Sequence, residues 1–205
     1  MKILSGEFVT SIATGGSLPP SERAVVALVG RSNVGKSSLI NTLVKRRVAR
    51  AGTAPGVTRL LNVYRVCLSA GSRGTKSLTL VDLPGYGYAR APKHMRDAWA
   101  KLIDWYLTEP ECVKGLVHLV DARRKPTKHD LEMVLYLSKL GIPAIVVLTK
   151  MDKLKKNQCL LAVQRACEEL GIEEEQVVPF SSRTGEGREA LLEALADLVT
   201  EAEAA

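Results

Sequence analysis

Short apolar runs and amphipathic stretches alternate along the 205-residue chain. A continuous apolar run at 24–29 predicts a buried strand, a glycine-bounded loop follows, and helical periodicity over 36–46 predicts a helix. Residues 60–68 and 77–81 read as strands joined by the turn-rich stretch 69–76. That connection is too short for a crossover helix, so the pair is expected as an antiparallel hairpin. Beyond it the pattern predicts helices at 93–107, 128–140, 154–170 and 187–198, interleaved with strands at 116–120, 144–148 and 177–180. Such alternation implies an α/β fold: a mainly parallel six-stranded sheet with one antiparallel edge strand and helices on both faces. Residues 1–23, containing Gly15-Gly16 and Pro19-Pro20, are expected as a partly mobile N-terminal extension, 24–200 as a single domain and 201–205 as a frayed tail.

Composition narrows the class. At 46% hydrophobic and 25% charged residues the chain is ordinary for a globular domain. No apolar run is long enough to span a bilayer, and residues 1–7 have neither a secretory apolar region nor the Arg/Ser bias of a transit peptide. A cytoplasmic protein without membrane insertion is expected. Cys67, Cys112, Cys159 and Cys167 form no CxxC pair and read as small hydrophobes, and the dispersed His94, His118 and His129 suggest no metal site. The net charge of +7 is unevenly placed: residues 1–130 hold 21 Lys/Arg against 9 Asp/Glu, whereas 131–205 hold 8 against 13. This asymmetry suggests that one side meets a polyanion, a solvated surface being the plainer alternative.

Gly30-Arg31-Ser32-Asn33-Val34-Gly35-Lys36-Ser37 is a GxxxxGKS loop between a predicted strand and a predicted helix. Its glycines let backbone amides wrap a phosphate at the positive end of the helix, with Lys36 reaching the β- and γ-phosphates and the Ser37 hydroxyl on Mg²⁺. Asp82-Leu83-Pro84-Gly85 closes the strand at 77–81, where an acid can hold Mg²⁺ through water and the Gly85 amide can meet a γ-phosphate. Thr149-Lys150-Met151-Asp152 closes the strand at 144–148. The Asp152 carboxylate offers acceptors to guanine N1–H and the 2-amino group, which adenine cannot match, and the Lys150 stem can lie along the base. Phe180-Ser181-Ser182 can supply backbone amides for guanine O6, and Thr58, within Gly56-Val57-Thr58-Arg59-Leu60, can complete Mg²⁺ coordination.

Together GRSNVGKS, PGVT, DLPGYGYA, TKMD and FSS resemble the EngB (YihA/YsxC) GTPases of the TrmE–Era–EngA translation-factor-like superfamily. The resemblance runs from about 23 to 198 and includes Trp105-Tyr106, Asp121-Ala122-Arg123 and Pro126-Thr127-Lys128-His129-Asp130. It implies a P-loop, Ras-like G domain with GTP/GDP and Mg²⁺ as ligands and a role in large ribosomal subunit assembly, with effects on cell division and septation. Large-subunit particles and rRNA are the implied partners, not DNA, and the protein is expected to be a monomer. Val57 and Arg59 depart from the family pattern around the switch threonine.

Lys36, Asn33, Thr58 and Gly85 are the candidate catalytic residues. Ras-like switches orient water with a Gln after DxxG; here that position is Tyr86, so unaided hydrolysis is expected to be slow. In related GTPases an Asn at the position of Asn33 helps hold K⁺, which makes K⁺-stimulated hydrolysis an expectation; simple bracing of the loop is the alternative. The basic groups Lys45-Arg46-Arg47, Arg90, Lys93, Arg96 and Arg123-Arg124-Lys125 are candidate readers of RNA phosphate. The rival functional class is a GTP-gated, non-enzymatic scaffold for a cell-division partner. A nucleotide kinase is weaker, having no use for the TKMD motif or the switch threonine.

Overall fold

The apolar run predicted at 24–29 becomes the central strand of a seven-stranded sheet. The computed structural model of the chain describes residues 2–13, 25–49, 60–69, 75–86, 101, 104, 106 and 113–204. In chain order the elements are β1 (Lys2–Ile12), β2 (Val25–Gly30), α1 (Lys36–Val44), β3 (Leu61–Ser69), β4 (Thr75–Asp82) and β5 (Val113–Asp121). They continue with α2 (Lys128–Leu140), β6 (Ala144–Thr149), α3 (Lys156–Leu170), β7 (Val177–Pro179) and α4 (Arg188–Ala204), with single 3₁₀ turns at Met151–Lys153 and Glu174–Gln176. Residues 101, 104 and 106 are helical within the helix predicted at 93–107, the rest of which lies outside the described residues.

The sheet order is β1-β3-β4-β2-β5-β6-β7. β4, β2, β5, β6 and β7 are mutually parallel, and β3 and β4 form the expected antiparallel hairpin. Two expectations change. The sheet has seven strands rather than six, because Lys2–Ile12, expected as an extension, forms β1 against β3. The antiparallel strand β3 therefore lies one place in from the edge. Register shifts at Ile3/Ser5 and Phe8/Thr10 break the alternation of β1, and only Gly6 and Ile12 of the strand are fully buried. At the other end the last helix runs on to Ala204, through most of the stretch expected to fray.

All six residues of β2 are buried because both faces of the sheet are covered. Val26 and Leu28 pack with Leu39, Ile40 and Leu43 of α1 and Leu191, Leu192 and Leu195 of α4. Val25, Ala27 and Val29 turn to the opposite face, with Met133 and Leu137 of α2 and Tyr106. α3 completes that side over β6 through Ala162, Val163 and Ala166. β4 and β5 flank β2 on either side, and the connections from β2 and β5 leave to opposite faces. The carboxyl end of β2 thus opens at the topological switch point where open α/β sheets bind ligands. Among the described residues no helix is long and apolar enough to cross a membrane. Cys67, Cys159 and Cys167 are free, partly buried thiols.

Candidate functional site

The loop after β2 is shaped by two residues with positive φ, Asn33 at 60° and Gly35 at 120°. They turn the chain from the sheet into α1, whose first residue is Lys36. The ammonium of Lys36 lies 3.9 Å from Asp82 Oδ1. Ser37 Oγ donates to Asp82 Oδ2 at 3.3 Å. Asp82 is 5% exposed, and its Oδ1 has no hydrogen-bond partner among the described residues. Burial raises its pKa, with Lys36 and Ser37 acting in the opposite direction. The buried carboxylate, with one oxygen that accepts no hydrogen bond, and the serine hydroxyl beside it are hard oxygen donors suited to Mg²⁺, while the Lys36 ammonium is suited to phosphate oxygens.

Gly85 approaches this loop at the limit of contact: a Cβ there would lie 2.8 Å from both the nitrogen and the Cα of Ser32. The candidate glycine of DLPG is therefore seated directly on the phosphate loop. Leu83 N–H donates to Leu28 O at 3.0 Å, continuing the β2–β4 ladder toward it.

The remaining motifs converge from the ends of β6 and β7. Lys150, at φ 65°, reaches across the phosphate loop, donating to the Asn33 carbonyl at 2.8 Å and to Asp121 Oδ2 at 2.9 Å. Thr149 Oγ1 donates to Val34 O at 2.8 Å, so two successive residues of TKMD brace the same loop. Met151 N–H donates to Phe180 O at 3.2 Å, joining TKMD to FSS. Ser181 Oγ donates to Asp152 Oδ1 at 2.8 Å, and this hydrogen bond, against the opposing effect of burial, lowers the Asp152 pKa. Asp152 Oδ2 is buried and accepts no hydrogen bond among the described residues, although the Lys153 ammonium stands 3.6 Å away. An ionised carboxylate with one oxygen anchored and the other without a hydrogen bond is suited to a base edge that presents two N–H donors.

Within FSS the Phe180 and Ser181 amides are engaged by Leu148 O and Glu186 O, at 2.8 and 3.0 Å, and the Ser181 hydroxyl fixes Asp152. Of the expected residues, Gly30–Ser37, Leu60, Asp82–Gly85, Thr149–Asp152 and Phe180–Ser182 are described. Gly56, Val57, Thr58 and Arg59, as well as Arg90, Lys93 and Arg96, lie outside the described residues.

Sequence reasoning missed three supports. Asp121, at the end of β5, is held well below the usual carboxylate range: burial alone would raise it, but hydrogen bonds from Arg123 and Lys150 outweigh that. Arg188 donates to the carbonyls of Thr42 and Leu43, tying the start of α4 to the end of the phosphate-loop helix. Gly187, at φ 76°, is unavoidable, since a Cβ would lie 1.9 Å from Pro179 O. Asp121 stood in the sequence only as part of the family resemblance, and its contact with Lys150 had no local signal. Beside the loop, a cavity of about 260 Å³ is lined by Arg31, Asp121, Arg123, Arg124, Lys125 and Thr127 among others.

The chain matches the family model described as a 50S ribosome-binding GTPase over residues 25–150, and that of the elongation factor Tu GTP-binding domain over 107–201. It is 43% identical over 203 residues to a probable GTP-binding protein EngB of Desulforamulus reducens, covering 97% of this chain and 95% of that protein. A probable EngB of Lactobacillus gasseri is 45% identical over 185 residues, covering 89% and 91%. Among solved structures, a probable GTP-binding protein EngB superposes with a TM-score of 0.67 at 25% identity, covering 87% of this chain and all (100%) of that one. Aquifex aeolicus Era bound to GDP·AlF₄⁻ shares the fold, with a TM-score of 0.68 at 24% identity over 85% of this chain and 56% of that one. A phosphate loop braced by TKMD, an acid beside the loop serine and near-full-length similarity to these relatives lead to one assignment: the chain belongs to the EngB family of GTP-binding proteins, with a P-loop GTPase fold.

Proposed function

We propose that this protein is a slow GTPase switch that binds large ribosomal subunit particles during their assembly. It reads rRNA phosphates in its GTP form and leaves when GTP is hydrolysed. The single observation that carries the nucleotide reading is Asp152, with Oδ1 anchored by Ser181 and Oδ2 buried without a hydrogen bond among the described residues, the cations of Lys153 and Arg183 standing 3.6 and 4.0 Å away. Guanine satisfies that oxygen; adenine leaves it buried and unpaired. Gly30–Ser37 hold the phosphates, Lys36 neutralises charge on the β- and γ-phosphates, and Ser37, Thr58 and water-bridged Asp82 hold Mg²⁺. The metal's contribution is to offset charge building on the phosphate oxygens.

Slow turnover follows from Tyr86, which replaces a water-orienting glutamine and carries its side chain in the interior, 6% exposed. Asn33 sits at the crest of the phosphate loop with an exposed side chain, in position to help hold K⁺, so hydrolysis is faster in KCl than in NaCl. The basic wall of Arg123, Arg124 and Lys125 lies beside the loop and suits RNA phosphate. The family description as a 50S ribosome-binding GTPase supports the choice of partner. The protein works as a cytoplasmic monomer, and impaired subunit assembly is what disturbs division and septation. The test is sedimentation with large-subunit particles, the protein being loaded with GDP or a non-hydrolysable GTP analogue. Cosedimentation only with the analogue, weakening as salt rises, is expected; no dependence on the nucleotide contradicts the ribosomal reading.

A further inference from the structure

Tyr86 is strapped to the phosphate loop along its backbone. Its N–H donates to Gly30 O at 3.2 Å and its carbonyl accepts from Ser32 N–H at 3.0 Å, forming a parallel bridge with Arg31. The side chain turns away from the loop into the interior. There the hydroxyl donates to Asp130 Oδ1 at 2.5 Å and lies 2.6 Å from His118 Nε2. His118 is fully buried on β5, and Asp130 is 2% exposed in the first turn of α2. The second oxygen of Asp130 accepts from the N–H and the hydroxyl of Thr127, at 2.7 and 2.6 Å.

The protons in this cluster can be counted. A phenol has one hydrogen to give, and Asp130, an acceptor only, takes it. His118 must then donate from Nε2 to the phenol oxygen. Its Nδ1 is buried and has no hydrogen-bond partner among the described residues. Each group is thus committed in one direction, from His118 through Tyr86 to Asp130 and the cap of α2. Such a chain holds only while the phenol stays where it is.

We propose that His118 and Asp130 are positioning residues for the γ-phosphate side of the nucleotide site, acting through Tyr86 to hold the Gly85–Tyr86 peptide against the phosphate loop. The inference rests on the guanine-nucleotide reading above and assigns the control of that site. The lock bears on the third phosphate because Gly85, the residue before Tyr86, is the one seated on Ser32. The base contacts assigned to Lys150 and Asp152, which GDP and GTP share, do not pass through Tyr86.

The test compares affinities for GDP and for a non-hydrolysable GTP analogue in the full-length protein. Tyr86→Phe removes the hydroxyl and keeps the ring. The analogue should bind about three- to tenfold more weakly while GDP affinity stays within about twofold. His118→Leu should behave like Tyr86→Phe. His118→Gln, whose amide can donate from nearly the same position, should restore the wild-type ratio, and this pair keeps the test decisive should Tyr86→Phe fold poorly. Equal losses for both nucleotides, an unmoved ratio, or a His118→Gln variant no better than His118→Leu overturns the proposal. Failure of the wild-type protein to bind either nucleotide is a different result, which strikes the guanine reading itself.

Discussion

The Ser181 hydroxyl donates to one oxygen of Asp152 at 2.8 Å and leaves the other without a hydrogen bond, although the side chain is only 9% exposed. The pair therefore presents a fixed acceptor rather than a freely rotating carboxylate. Asp152→Asn exchanges that acceptor for an amide, which can turn an N–H toward the base. GTP affinity should fall by about 10³-fold or more, and xanthosine triphosphate, which carries an oxygen where guanine has its amino group, should become the better ligand. Competition binding with the two nucleotides measures the exchange, and an Asn variant that still prefers GTP contradicts the role given to Asp152.

Asp82 stands on the opposite side of a trade between stability and function. Its charge is buried and its Oδ1 accepts no hydrogen bond among the described residues, so burial penalises the ionised form by more than the Lys36 ammonium 3.9 Å away and the Ser37 hydroxyl offset. Asp82→Asn removes the penalty. The protein without nucleotide should melt about 2–4 °C higher, while Mg²⁺-dependent GTP hydrolysis drops about a hundredfold or more. Calorimetry and phosphate release on the same preparation check both halves. A lower melting temperature would show that the carboxylate supports the fold rather than burdening it.

Acid should unfold the protein through two carboxylates. Burial alone would raise both, but hydrogen bonds from Arg123 and Lys150 hold Asp121 below the usual range, and the His118 ring 3.7 Å away with hydrogen bonds from Thr127 and Tyr86 does the same for Asp130. A carboxylate whose folded pKa lies below its unfolded value contributes stability that is complete above the unfolded value and is lost as pH falls through the folded one. The melting temperature should therefore hold down to about pH 4 and decline below it. Asp130→Asn should start lower and flatten this acid limb. Parallel wild-type and variant curves between about pH 6 and 2.5 would remove Asp130 from the account.

Gly6 of β1 lies under α1: a Cβ added there would come within 2.4 Å of Val44 Cγ1. Gly6→Ala must push the outer strand and the phosphate-loop helix apart, at a cost of about 1–3 kcal/mol. Ser5→Ala, next to it and exposed, should be neutral. Denaturant midpoints compare the two. Equal midpoints would mean that β1 is not seated on α1.

The phosphate loop, DLPG, TKMD and FSS were legible because each is a short run at the end of a predicted strand. The β3–β4 hairpin was legible because its connection leaves room for nothing else. β1 was not, since two register shifts and Gly6 spoil the alternation that marks a half-buried strand. His118 was hidden for another reason. It sits within the apolar run of β5 and reads as a stray strand residue; its partner Tyr86 is 32 positions away, and Asp130 is 44 positions from Tyr86. Only the fold brings them together. Asp121 and Arg188 likewise act on backbone and side-chain atoms distant in sequence, which no local pattern announces.

The strand order also turns a difference along the chain into a difference across the molecule. The basic portion, 1–130, supplies β1, β3, β4, β2 and β5, whereas the acidic portion supplies β6 and β7 together with α3 and α4. Along the sheet the charge bias of the chain thus runs from the β1 side toward the β7 side, although the acidic α4 lies back over β2 and α1. An anionic surface draws the β1 side and repels the β7 side, so the protein swings into alignment before touching, at a rate that added salt will slow.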